Sequence, residues 1–168
     1  MQLNSIQDVY ANQLGDLRSA ESQLIEALPK MANAASDAGL KQAFAEHLQQ
    51  TREHRDRLER IIAGAPTTVP NEVCKGMEGL IAEGDEVVNA TGDPAAKDAA
   101  LIAAAQRVEH YEIAAYGTAR ELARQLDESD AADLLDQTLD EESDADKLLT
   151  KLATGGLLSV GINEDAPR

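Results

Sequence analysis

Apolar residues recur along this chain at intervals of three and four, the spacing that gathers them on one face of an α-helix. The first such row reads Tyr10, Leu14, Leu17, Glu21, Leu24, Leu28, Met31. Ser5, with Asp8 three residues on, can cap the start of this helix, and Asp37-Ala38-Gly39 stop it beyond about Ala35. Pro29 falls inside the row and removes one backbone donor, so a kink or local break is expected there. A second row, Leu40, Phe44, His47, Thr51, His54, Leu58, Ile61, continues to about Ala63. The very short turn between the two rows makes them an antiparallel hairpin.

Gly64 to Pro70 holds two prolines and a glycine and cannot be helical, whereas Glu72 to Asn89 regains helical spacing through Val73, Met77, Leu80 and Val87. This segment reads as a crossover carrying a short fifth helix. Asp93-Pro94 form an N-cap and first-turn pair for a long helix to about Leu126, with the row Leu101, Ala105, Val108, Glu112, Ala115, Ala119, Leu122. Ser129 is the expected cap of the last helix, which places Leu135, Leu139, Glu142, Ala145, Leu149 and Leu152 inward and ends at about Ala153, before Gly155-Gly156. Two hairpins joined by a long crossover predict an all-α, ferritin-like four-helix bundle, a single domain over residues 1–155. Residues 156–168 lack periodicity and are expected to form a flexible C-terminal tail.

Composition agrees with this picture. A length of 168 residues suits one buried core, and aromatics at 2% with no Trp favour helices packed through small and aliphatic side chains. A net charge of -16, with no Lys/Arg cluster, opposes binding to nucleic acid or anionic lipid and draws cations weakly. No apolar run approaches the roughly 20 residues of a membrane-spanning helix. Cys74, the single cysteine, cannot form an intrachain disulfide; beside Lys75 near a helix start, it is expected to be an inert packed thiol. Met1 to Tyr10 has neither a basic nor an apolar leader segment, so a cytoplasmic location is expected.

The informative departures are charged residues on the apolar stripes. Glu21, His47, His54, Glu112 and Glu142 each fall near the midpoint of one of four helices. A buried carboxylate costs several kcal/mol unless paired, solvated or bound to a cation, so five such positions at one depth call for a shared cause. A metal pair is the simplest. His47-x-x-Gln50-x-x-x-His54, Glu109-x-x-Glu112 and Glu142-x-x-x-Asp146 set neighbouring donors on one helix face. The candidate metal set is therefore Glu21, His47, Gln50, His54, Glu109, Glu112, Glu142 and Asp146. Mixed carboxylate and imidazole donors suit Fe or Mn, with Zn as a third option.

A hydrogen-bonded core without metal is the competing explanation, with Glu21 and Glu142 paired to His47 and His54 and Gln50 bonded among them. His110 lies off the stripe, as a surface or dimer-interface residue, while Tyr111 and Tyr116 read as packing groups. Glu78, Glu83, Asp85 and Glu86 read as a solvated face. No phosphate-binding loop or nucleophile elbow occurs.

The stretches Ala20-Glu21-Ser22-Gln23-Leu24, Ala27-Leu28-Pro29-Lys30, His47-Leu48, Cys74 to Leu80, Ala99 to Gly117 and Thr138-Leu139-Asp140-Glu141-Glu142 together resemble the YciE/YciF ferritin-like family (DUF892). The resemblance extends to about Ala153 and is most specific around Val108-Glu109-His110-Tyr111-Glu112. It implies a ferritin-like bundle, often dimeric, distantly similar to rubrerythrins and linked to bacterial stress responses. By analogy with rubrerythrin-like sites, Glu109 and Glu112 match a Glu-x-x-Glu pair, and Glu21 and Glu142 match the carboxylates of the first and last helices. The chain departs from the family pattern at Gln49 and Gln50, where Glu is expected, and at His54, where Gln occurs elsewhere. Ala145 stands where a rubrerythrin has a ligating His.

Two functions follow from these observations. One is a non-haem di-metal protein acting on peroxide or oxygen. The other is a non-catalytic homodimer whose polar core is structural or sequesters metal stoichiometrically. A storage cage is disfavoured because nothing in the chain identifies an assembly surface, and neither terminus offers the basic arm of a DNA-protecting cage. No catalytic residue is assigned and enzymatic turnover is left open.

Overall fold

A computed structural model describes residues 3–156 and 160–167. Its helices are α1 (Ile6–Ala34), α2 (Ala38–Gly64), α3 (Lys75–Val88), α4 (Pro94–Gln125), α5 (Ser129–Thr154) and α6 (Ile162–Asp165), with no strand among the described residues. The all-α bundle with its long helical crossover is as the periodicity predicts.

The helix boundaries follow local chemistry. The Ser5 hydroxyl accepts from Asp8 N while the Asp8 carboxylate accepts from Ser5 N, closing a capping box at α1. α1 runs through Pro29 without the expected break. Asp37 caps α2, and Asp93 caps α4 with Pro94 at the first position. The crossover helix starts at Lys75, later than its spacing suggested, because Cys74 serves as its cap through Sγ while Val73 stays exposed. Ser129 does not cap α5. Asp127, in the left-handed region at φ 61°, turns the chain so sharply that Ser129 is already helical, and Glu128 precedes it without a side-chain cap.

Two apolar clusters fill the bundle. One joins Leu28 and Met31 near the end of α1, Leu40 and Phe44 near the start of α2, Leu101 near the start of α4 and Leu149 near the end of α5. The other joins Tyr10 and Leu14, Leu58 and Ile61, Ala119 and Ala123, and Leu135 from the opposite ends of the same helices. The starts of α2 and α4 thus share one end, so these helices run parallel. A belt of polar residues lies between the two clusters.

The expected C-terminal tail is in part a docked element. Residues 157–159 and 168 lie outside the described residues, but α6 packs on α4 and α5 and Ile162 joins the first cluster. Gly161 permits this approach, since a Cβ there would lie 2.5 Å from Ala153 O. A four-residue helix has too few positions to display a period, so the sequence pattern did not expose it.

Cys74 is fully buried, 3.0 Å from the Tyr111 hydroxyl and 3.3 Å from Asp16 Oδ2, and Tyr111 also donates to Asp16. Burial pushes its thiol pKa up, which accords with an inert packed cysteine. Asp98, also buried, accepts from Ser36 N at 2.8 Å and Asp37 N at 2.7 Å, fixing the turn between α1 and α2 from a third helix.

Candidate metal centre

Six ionisable side chains meet in the belt between the apolar clusters: Glu21 from α1, His47 and His54 from α2, Glu109 and Glu112 from α4, and Glu142 from α5. All six are buried. They form two groups of closely spaced donors, His47/Glu109/Glu112/Glu142 and Glu21/His54/Glu142, in each of which the donor atoms lie within 4.8 Å of one another. Glu142 belongs to both.

Each histidine turns one ring nitrogen into the layer and one out of it. His47 Nδ1 is 3.4 Å from Gln50 Oε1, leaving Nε2 3.4 Å from Glu109 Oε1 and 3.7 Å from Glu142 Oε2. His54 Nε2 is 2.8 Å from Glu141 Oε2, leaving Nδ1 facing Glu142 Oε1 at 2.8 Å and Glu21 Oε1 at 3.6 Å. The His54–Glu142 approach is close yet off the line of a hydrogen bond, so both atoms remain without a hydrogen-bond partner. Arg57 holds Glu141 through both carboxylate oxygens, at 2.6 and 3.0 Å, and also reaches Thr138. This chain of contacts reproduces the outer support that metal-binding imidazoles ordinarily have.

The layer can balance its charge without an ion. Burial and the neighbouring Glu142 carboxylate push Glu109 and Glu112 well above the usual carboxyl range. Burial also lifts Glu21 to about 8, despite His54 and a hydrogen bond from the Tyr116 hydroxyl. Burial pulls His47 down and so favours the neutral imidazole. Burial opposes charging of His54 as well, but contacts with Glu142, Glu21 and Glu141 outweigh it and raise the pKa to about 9. Burial likewise disfavours ionised Glu142, yet His54 and His47 pull it below the usual range. Arg57 and His54 overcome partial burial of Glu141 and lower it to about 2. Near neutral pH, ionised Glu141 and Glu142 are therefore matched by Arg57 and protonated His54.

Of the eight candidates, Glu21, His47, His54, Glu109, Glu112 and Glu142 come together. Gln50 stands behind His47, and Asp146 faces Gln106 at 3.0 Å and His110 at 3.6 Å, outside both groups. Sequence reasoning missed Glu141, Arg57 and the role of Tyr116. Tyr116 is buried where the row was drawn through Ala115, and Thr138 is buried where it was drawn through Leu139. A stripe with steps of four at these points would have placed Tyr116 four residues from Glu112, on its face.

The donor set fits metal ions. Nine buried side-chain oxygen and nitrogen atoms lack a hydrogen-bond partner among the described residues, and all but the Tyr10 hydroxyl belong to this layer. Buried polar atoms rarely go unpaired, and a cluster of them needs a specific cause. Carboxylate and imidazole donors together match Fe, Mn or Zn better than Mg or Ca.

Fold and layer define a helical-bundle protein with a buried carboxylate–imidazole centre suited to cations. The chain belongs to the DUF892 family, a domain of unknown function, whose pattern matches residues 5–160. It is 46% identical over 154 residues to Protein YciF of Escherichia coli K12, covering 91% of this chain and 93% of that protein. The crystal structure of the E. coli stress protein YciF superposes with a TM-score of 0.86, covering 89% of this chain and 94% of that one. YcfI from Rhodopseudomonas palustris gives the same TM-score of 0.86 at 35% identity, covering 90% and 97% of the two chains. A chain from Xanthomonas campestris, 18% identical with a TM-score of 0.69 over 88% of this chain and 89% of that one, shares the fold alone.

Proposed function

We propose that this chain is a ferritin-like, cytoplasmic stress-response protein that holds two metal ions, Fe or Mn, in the polar layer and acts on peroxide or oxygen as a homodimer. The observation that carries this reading is the set of eight buried donor atoms without a hydrogen bond on Glu21, His47, His54, Glu109, Glu112 and Glu142. The stress role draws on its similarity to the E. coli stress protein YciF. His47, Glu109 and Glu112 would hold one ion, Glu21 and His54 the other, with Glu142 between them. Bound Fe or Mn supplies redox chemistry that no side chain of the layer has. Gln50 and Glu141 fix the two imidazoles with one nitrogen inward, and the Tyr116 hydroxyl holds Glu21 in place.

A metal-free structural layer is favoured by the self-balancing of Glu141 and Glu142 against Arg57 and His54 described above. Elemental analysis of protein purified without chelator separates the two. About two equivalents of Fe or Mn per chain, lost in Glu112→Ala, supports the metal reading and justifies peroxide assays. A metal-free, stably folded protein overturns it in favour of a non-catalytic bundle.

A further inference from the structure

The polar layer is closed to water almost everywhere. Glu21, His54, Glu112 and Glu142 have no exposed surface, whereas His47 keeps 7% and Glu109 2%. Both of these residues line one cavity of about 150 Å³, which opens to solvent between α2 and α5. At its inner end these two residues, both more than nine-tenths buried, carry His47 Nε2 and Glu109 Oε2, which lack hydrogen-bond partners. Its outer part carries the exposed carboxylates Glu46 and Asp144, and its lining includes no Lys or Arg among the described residues. Lys147 pairs with Asp144 but does not line the cleft.

Ala145 leaves the cleft open. It lies on the α5 wall one turn beyond Glu141, and any longer side chain there would project into the cavity. A second opening is an apolar groove of about 20 Å³ lined by α1, α3 and α4 through Leu24, Leu80, Gly84 and Val108. It has one carboxylate, Asp85, which pairs with Lys30 as Asp144 pairs with Lys147.

Resting on the two-ion reading above, we propose that the α2–α5 cleft is the passage by which divalent cations reach the layer. Glu46 and Asp144 draw the ion to the mouth, Ala145 keeps the bore open, and His47 and Glu109 are the first donors met. A mouth lined by one sign of charge raises the local cation concentration and the association rate, the more so on a chain of net charge -16.

The test is stopped-flow uptake of Co²⁺ by the metal-free full-length chain, followed by cobalt absorption, with final stoichiometry measured in parallel. Ala145→Leu should slow uptake roughly tenfold or more at unchanged stoichiometry, since ions would then await transient parting of the helices. The Glu46→Gln/Asp144→Asn pair, which adds no bulk, should slow it several-fold and flatten its dependence on ionic strength. Gly84→Leu, filling the apolar groove, should leave the rate unchanged. Uptake at the wild-type rate in Ala145→Leu, or slowing by Gly84→Leu alone, overturns the passage while leaving the metal centre intact. Failure of the unsubstituted chain to bind Co²⁺ overturns the metal centre itself and removes the passage with it.

Discussion

His54 Nε2 lies 2.8 Å from Glu141 Oε2 on the side of the ring facing away from the layer. This contact holds the opposite nitrogen, Nδ1, toward Glu21 and Glu142. Glu141 and Glu142 are adjacent in sequence but meet the two different ring nitrogens of one imidazole.

Removing that outer support should weaken the inner one. Glu141→Gln is expected to lower metal affinity by about 10–100-fold, with the larger effect on the ion held by Glu21 and His54. Calorimetric titration should then show one weakened site beside one of near-native affinity. Equal loss at both sites, or none, would contradict a positioning role.

Glu112 is buried with both oxygens unpartnered, and burial beside the Glu142 carboxylate raises its pKa, which favours the protonated form in the metal-free protein. Glu112→Gln resembles that protonated form in shape and charge. Thermal unfolding of the metal-free variant should stay within about 1 kcal/mol of the parent, while metal binding to the His47/Glu109/Glu112/Glu142 group is lost. A large loss of metal-free stability would show that Glu112 is ionised in the apo layer.

The pH dependence of the metal-free fold has a definite sign. Glu21, raised to about 8, binds its proton more tightly when folded, so it stabilises the fold at low pH and loses that contribution as pH rises from its ordinary range toward 8. His54, raised to about 9, contributes fully below its ordinary pKa and loses that contribution as pH rises toward 9. Glu141, lowered to about 2, contributes above the ordinary carboxylate range and loses that contribution as pH falls toward 2. The apo midpoint temperature should therefore decline as pH rises from 4.5 to 9, through Glu21 first and His54 after it, and should also decline in strong acid as Glu141 is protonated. Because burial favours the protonated forms of Glu109 and Glu112, metal uptake should release protons from them, giving binding heats that vary with the buffer.

Asp98 offers a test of the fold apart from the centre. Asp98→Ala leaves Ser36 N and Asp37 N without their acceptor and should cost about 1–3 kcal/mol in chemical unfolding. Asp98→Asn keeps an acceptor oxygen and should recover part of that loss.

The sequence exposed the layer's inward members because helical periodicity alone places a side chain relative to its own helix. Glu21, His47, His54, Glu112 and Glu142 interrupt apolar rows, and all five are buried. Glu109 was reached through its spacing to Glu112. The same logic extended to Asp146, four residues from Glu142, yet Asp146 faces Gln106 and His110 because a helix face is wider than a metal site. Glu141 and Arg57 sit beside the stripe and gain their role only when α5 meets α2, a relationship separated by 84 residues.

The sequence by itself determined the helices, their hairpin order, the parallel pairing imposed by a long crossover, and the depth at which charge enters the core. These are consequences of local periodicity, capping and chain connectivity. Tertiary structure alone decided that Glu142 serves both donor groups, that each imidazole has one nitrogen inward, that Tyr116 meets Glu21, and that α6 docks at the bundle end. Those outcomes depend on how four helices rotate about their axes and approach one another, which follows from the packing of all their side chains together.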